Sequence, residues 1–408
     1  MSPKLLLIQI IGIIFFILSQ VLPLGAQPLH LQPHSLELSS KKTITLNIPE
    51  GWDISIAAQS MKRPRFMAFS PDGRLFLGDM YNMDDTTLGH VYALGRFDAA
   101  QGRFNQRITY LSRQRNPNSM AFVKDAAGKD WLVLALTDHL VRYDFQTGDE
   151  APSSAPETLA TFPSYGLNYK YGGWHLTRTV LAGGNGKLYV SIGSSCDSCV
   201  EKPEEARACV LEMDLDGQNQ RLFTAGLRNA VGLCWVEGKI MATDMGSDKL
   251  GDDLPLESVF ELEDGQNYGW PFYYLSPEGY QADPRYSESQ RPPGFLDKAP
   301  RPYWTYLAHA APLGLEYFDD KAGPDLAGSF LVAFHGSSKK GLNHGYKVIR
   351  VKKGEEGEDF VTGFLEEGRV LGRPCGILKD GKGGFFLTDD FNGAVYYLRP
   401  SRVGTIQP

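Results

Sequence analysis

The feature that most constrains this chain is a hairpin unit that recurs six times along its length. It appears at residues 66–82 (FMAFSPDGRLFLGDMYN), 119–139, 178–195 (RTVLAGGNGKLYVSIGSS), 231–247, 313–337 and 375–393. Each copy reads as an apolar strand, a turn of Gly, Asp or Lys, and a second apolar strand closing on Gly, Asp, Ser or His. Asp72-Gly73, Asn185-Gly186, Glu237-Gly238 and Asp380-Gly381 supply hairpin turn chemistry. Most copies continue into a third strand, and the repeat of about fifty residues lies in the range of propeller blades. One such sheet cannot bury both its faces, whereas six stacked around an axis can. The sequence therefore predicts an all-β fold: a six-bladed β-propeller of four-stranded antiparallel blades around a central channel. A pair of packed sheets would explain alternating strands but not six recurrences. The strand-like Asp53–Gln59 precedes the first copy and is predicted to close the ring as the outer strand of the last blade.

Ahead of the repeats, Lys4 is followed by an uncharged apolar run, Leu5 to Leu18, then by the small pair Gly25-Ala26. That is the layout of a secretory signal cut near Ala26; an uncleaved anchor is the rival reading. The predicted organisation is a signal peptide over 1–26, a linker over 27–47, and the propeller over 48–408, in a periplasmic or secreted setting. A formal charge of −7, with no Lys/Arg cluster, argues against a nucleic-acid surface. Cys196 and Cys199 form a C-x-x-C with no further Cys or His at zinc-ligand spacing, so a local disulfide is favoured over two free loop thiols in an oxidising compartment.

In an antiparallel hairpin the first strand starts where the second ends. The residues at those ends should therefore share one face: His175, Arg228, Asn229, Pro312, Arg373 and Pro374 from the starts, with Asp79, Asp138, Ser194, Asp244, Gly246, His335 and Asp389 from the ends. An imidazole such as His175 can take a proton from an alcohol, or serve only as a hydrogen-bonding loop residue. Arg228 and Asn229 suit a ligand bearing carboxylates or carbonyls, or a bond between blades. Asp244-Met245-Gly246-Ser247-Asp248 gathers oxygen donors that suit calcium, or an ordinary turn.

An ordered set of motifs then carries a family resemblance. It comprises Gly173-Trp174-His175-Leu176-Thr177-Arg178, Gly226-Leu227-Arg228-Asn229 with Gly232-Leu233, and Leu250-Gly251-Asp252-Asp253-Leu254. Asn267-Tyr268-Gly269-Trp270-Pro271, His309-Ala310-Ala311-Pro312-Leu313-Gly314, Phe334-His335-Gly336-Ser337, Gly345-Tyr346-Lys347-Val348 and Gly372-Arg373-Pro374 complete it. From about Pro64 onward the chain resembles the glucose/sorbosone dehydrogenase family, the soluble pyrroloquinoline-quinone-dependent aldose dehydrogenases, and the sorbosone-type branch most closely. The resemblance implies pyrroloquinoline quinone and calcium as cofactors, a small sugar as substrate and an unidentified electron acceptor. It implies His175 as general base, Arg228, Asn229 and Arg373 as cofactor contacts, and Gly246 and Ser247 as calcium ligands through their carbonyls.

The sequence departs from that pattern at four places: Ser194 replaces an aspartate that supports the base, Val231 a glutamine, Ser247 a proline and Ser338 a tryptophan. Two other readings follow. A calcium-dependent lactonase-type hydrolase would recruit Asp79, Asp138 and Asp244, and a non-catalytic carbohydrate- or protein-binding propeller would need no reaction at all. The insert from Phe272 to Tyr303 is expected to shape access, with its aromatics packing mostly against the barrel.

Overall fold

The computed structural model describes residues 28–164, 175–200, 206–339 and 341–401. The signal-peptide reading of 1–26, together with Gly173 and Trp174, lies outside the described residues.

Six four-stranded antiparallel sheets follow one another around the molecule. Their innermost strands are Pro64–Phe69, Ser119–Lys124, Arg178–Ala182, Leu233–Val236, Pro312–Phe318 and Pro374–Lys379. Five sheets are built from consecutive strands, apart from a small hairpin (Tyr273–Ser276 with Gly279–Ala282) interrupting the fourth. The sixth is closed by the N-terminal strand Trp52–Ala58, which pairs antiparallel with Ala394–Pro400. Every residue of the second strands Leu75–Asp79 and Phe385–Asp389 is buried, because each lies inside its sheet with a neighbouring blade on either face. Apolar layers such as Val133, Leu140, Val190 and Met213 fill the space between successive blades.

Close approach around the axis fixes some inner-strand residues. A Cβ on Gly376 would lie 2.8 Å from the carbonyl oxygen of Arg65 in the first blade, and one on Gly232 would lie 2.6 Å from that of Leu313 in the fifth. Only glycine lets neighbouring inner strands sit this near.

The N-terminal region differs from the predicted linker. Leu31–Glu37 and Thr43–Pro49 form an antiparallel hairpin with Leu31 opposite Pro49 and Glu37 opposite Thr43. The second of these strands alternates, burying Ile44, Leu46 and Ile48 in the core under the fifth and sixth blades. Lys42 reaches from its turn to the Leu371 carbonyl, and Asn47 bonds Thr362. The first strand is polar because it covers the second from outside, so composition alone reads it as a tether.

The insert behaves as expected for most of its aromatics. Tyr273 stacks on Phe295 at 4.4 Å between centroids, and Tyr280 meets the same ring edge-on at 5.2 Å. Trp304 belongs to the fourth blade itself, in the outer strand Trp304–Tyr306.

Candidate functional site at the channel mouth

The strand ends predicted to share a face do so, and their polar groups fall into two clusters. The first joins the third and fourth blades around His175, Asn229, Arg228 and the Gly246–Asp248 turn. The second joins the fifth, sixth and first blades around Arg373, His335, Asp390 and Arg65.

His175 opens the third blade. Its Nδ1 lies 2.7 Å from the Ser194 carbonyl oxygen and 3.3 Å from Ser194 Oγ. A carbonyl only accepts, so Nδ1 carries the hydrogen and Nε2 keeps a lone pair. Burial, followed by the nearby Arg228 guanidinium, pushes the imidazole down to about 3, so it is neutral at physiological pH. Ser194 stands where the family pattern has an aspartate, and here the main chain of that residue takes over the orienting contact. Ser194 is fixed in turn: its Oγ donates to the Cys196 carbonyl at 2.7 Å, and its N–H to the Arg228 carbonyl at 2.8 Å. Gly193 leaves the space that His175 and Asn229 occupy; a Cβ there would come within 2.7 Å of His175 Cβ.

Arg228 and Asn229 open the fourth blade, held by Asp244 at the end of its second strand. The Asp244 carboxylate accepts the N–H of Asn229 at 2.7 Å and of Arg228 at 3.2 Å. The motif around Asn267 backs them: Tyr268 and Trp270 donate main-chain bonds to Ala225 and Gly226. Gly226 has φ +76°, and its missing side chain makes room for Asn267 Oδ1. The Asn229 side chain is buried, and Nδ2 makes a 3.4 Å contact with Met245 Sδ.

Asp197, which sequence reasoning missed, organises this cluster. Its carbonyl oxygen and carboxylate both engage Arg228, whose Nη2 also pairs with Asp248 at 2.9 Å. Arg228 Nη1 donates to the Gly246 carbonyl at 2.6 Å, and Ser247 Oγ donates to the Asp197 carbonyl at 3.1 Å. Asp197 lies between Cys196 and Cys199, whose predicted disulfide is formed. The C-x-x-C was the one signal that marked this loop.

Part of the donor set fits an acidic, carbonyl-rich quinone: the Asn229 carboxamide, which among the described residues makes only a sulfur contact, adjoins the Arg228 charge, whereas the guanidinium and the Trp270 indole N–H already donate to Asp197, Gly246 and Asp248. Calcium fits less well. The Gly246 oxygen expected to ligate it already accepts from a guanidinium, which would repel a divalent cation. No group of three His, Cys, Asp or Glu among the described residues could hold a metal.

The second cluster contains Arg373. Its Nη1 donates to the carbonyls of Gly336 at 2.9 Å and His335 at 3.2 Å, and its guanidinium lies 4.9 Å from the Tyr346 ring centroid. His335 Nε2 donates to Asp390 Oδ1 at 2.8 Å, and the other oxygen of Asp390 receives Arg65 Nη1 at 2.8 Å. Two arginines and the histidine hold the buried Asp390 carboxyl far below the ordinary range. Arg65 also binds Asn118 at 3.0 Å, so this network crosses the axis from the fifth blade to the second. These contacts anchor Arg373 to the His335 loop, apart from the His175 cluster.

Three strand-end carboxylates proposed for a hydrolase metal are committed elsewhere. Asp79 accepts the N–H of Lys62, Arg63 and Tyr81. Asp244 accepts the two just described, and Asp138 pairs with Arg115 at 2.6 Å and His139 at 2.5 Å. They pin the chain leading into a blade and do not converge.

Comparison with known proteins agrees with this geometry. Residues 167–344 match the family model described as Glucose / Sorbosone dehydrogenase. An uncharacterized protein of Borreliella burgdorferi is 27% identical over 229 residues, 52% of this chain and 57% of that protein, so the chain spans little more than half of that relative. The holo form of the pyranose dehydrogenase PQQ domain from Coprinopsis cinerea superposes with a TM-score of 0.71 at 19% identity, covering 87% of this chain and 97% of that one. The PQQ-bound form of aldose sugar dehydrogenase from Streptomyces coelicolor superposes at 0.56 and 17% identity, covering 86% and 99%. At these identities the superpositions establish the fold. The central segment of the chain, residues 167–344, carries the Glucose / Sorbosone dehydrogenase pattern on a six-bladed propeller.

Proposed function

We propose that the channel mouth is the site of a pyrroloquinoline-quinone-dependent sugar oxidoreductase that oxidises a hydroxyl or aldehyde group of an aldose-type substrate. The observation that carries this reading is His175, neutral, with Nδ1–H directed to the Ser194 carbonyl and Nε2 left as an acceptor beside Asn229 and Arg228. When bound, the quinone would supply the two-electron acceptor for the hydride leaving the sugar carbon. His175 Nε2 receives the hydroxyl proton, and the Ser194 carbonyl holds the ring against rotation while the charge forms. Asn229 and the Arg228 charge would hold the acidic cofactor, and Arg373 would join them only by leaving the carbonyls of His335 and Gly336. An anion next to Arg228 would offset the guanidinium charge and raise the basicity of His175, so ligand binding and proton acceptance reinforce one another.

The family match and the superposition on a pyranose dehydrogenase domain and an aldose sugar dehydrogenase support sugar oxidation. Calcium at Gly246 and Ser247 remains part of the reading only if Arg228 gives up the Gly246 carbonyl. Export to the periplasm or medium is supported by the N-terminal pattern and by the Cys196–Cys199 disulfide. The test is aldose-dependent reduction of an artificial acceptor after loading with the quinone, with and without calcium. His175→Ala should lose turnover while keeping quinone binding; equal turnover in that variant removes the assigned role. One observation favours the non-catalytic binding alternative, the engagement of Gly246 O by Arg228. Carbohydrate binding without any quinone binding would select it.

A further inference from the structure

The loop after the second strand of the third blade is closed on itself by Cys196–Cys199, three residues apart, with Asp197 inside the ring. Asp197 is buried, while both cysteines are half-exposed. Its carbonyl oxygen accepts from Trp270 Nε1 at 3.0 Å, Ser247 Oγ at 3.1 Å and Arg228 Nε at 3.2 Å. Its carboxylate accepts from the Asp248 N–H at 2.5 Å, Arg285 Nη1 at 2.7 Å and Arg228 Nη2 at 3.3 Å. A carbonyl oxygen has two lone pairs, so three donors share it and a small shift of the loop breaks at least one bond. Through Ser194 Oγ and the Cys196 carbonyl the same ring reaches the residue that orients His175. On its outer side Ser198 Oγ meets Tyr286 Oη at 3.0 Å, tying the loop to the insert.

We propose that the Cys196–Cys199 ring is a covalent brace in which Asp197 is a positioning residue for Arg228, Ser247 and Trp270, so that affinity for an anionic ligand at the mouth depends on the redox state of the disulfide. The proposal rests on reading the mouth as the quinone site. Opening the brace is a balanced exchange: the S–S bond takes two electrons and two protons from an external dithiol, giving two thiols and the oxidised, cyclic disulfide of the reagent. Once open, the loop loses its covalent constraint, and Asp197 keeps its place through these six hydrogen bonds and its flanking chain alone.

The experiment uses the whole protein, oxidised, reduced with dithiothreitol, and reoxidised. Hydrogen exchange of the Trp270 indole N–H, assigned with Trp270→Phe, reports on the brace without any ligand. Calorimetric titration with pyrroloquinoline quinone reports on the mouth. Reduction should speed Trp270 exchange and weaken quinone binding, each by about tenfold or more. Both should recover on reoxidation, with the Trp52 and Trp131 indoles of the blade cores unaffected. Asp197→Asn, with the disulfide intact, should weaken binding in the oxidised state. Unchanged Trp270 exchange overturns the proposal, and so does faster exchange with an unchanged dissociation constant. If the oxidised protein binds no quinone, the functional reading falls, while Trp270 exchange still decides whether the ring is a brace.

Discussion

Gly193→Ala is the most searching perturbation of the His175 cluster. Gly193 lies outside the left-handed region, so alanine is tolerated by the backbone and the effect is steric. The added Cβ would stand 2.7 Å from His175 Cβ and 2.9 Å from Cγ, and closer still to Asn229 Oδ1. Carbon atoms pack at about 3.5–4.0 Å, so His175 must retreat by about 1 Å. Overpacking of this kind costs about 1–3 kcal/mol of stability, which a propeller with this much buried core should survive. Misplacement of a catalytic group by about 1 Å lowers turnover on the order of a hundredfold, equivalent to about 2.7 kcal/mol of barrier. The assay is aldose-dependent reduction of an artificial acceptor by the quinone-loaded protein, beside denaturant unfolding. A folded variant with a hundredfold lower kcat is the expected result. A folded variant with undiminished kcat would refute the placement of His175 at the reacting group.

Two further predictions concern charge. His175, pushed down to about 3, should stay neutral through mild acid in the ligand-free protein, as followed by imidazole NMR. Because the unfolded imidazole titrates near 6.5, the unfolded state binds more protons between about pH 6.5 and 3, and this group lowers stability as pH falls through that window. A His175 resonance titrating near 6.5 would contradict the burial and Arg228 argument. Asp390→Asn should destabilise the fold by about 3–5 kcal/mol in denaturant unfolding, because it leaves the Arg65 guanidinium buried without its counter-charge. The depressed Asp390 carboxyl contributes stability above its unfolded value near 4 and loses it only as pH falls far into acid.

The blades were legible in the sequence because their determinants are local: Asp72-Gly73 and Asp380-Gly381 turns between apolar strands say hairpin without reference to the rest of the chain. Antiparallel pairing then placed His175, Arg228, Asn229 and Gly246 on one face. The closing strand Trp52–Ala58 was readable for the same reason. What escaped depends on distant partners. The strand Thr43–Pro49 alternates clearly, but its partner Leu31–Glu37 is polar on the outside and masks it. Asp197 carries no marker beyond its place between two cysteines, and its role arises from donors fifty or more residues away at Ser247 and Trp270. The substitution of a main-chain carbonyl for a side-chain carboxylate at Ser194 is likewise invisible in residue type alone. Arg373 shares the face yet turns toward His335, because Gly336 and Tyr346 offer it nearer partners.

Calorimetric titration of the oxidised protein with pyrroloquinoline quinone decides whether the channel mouth is a quinone site. Saturable binding at one site per chain, weakened in Arg228→Ala and followed by aldose-dependent turnover that His175→Ala abolishes, is the predicted result. No binding, with or without calcium, would show that the mouth is not a quinone site.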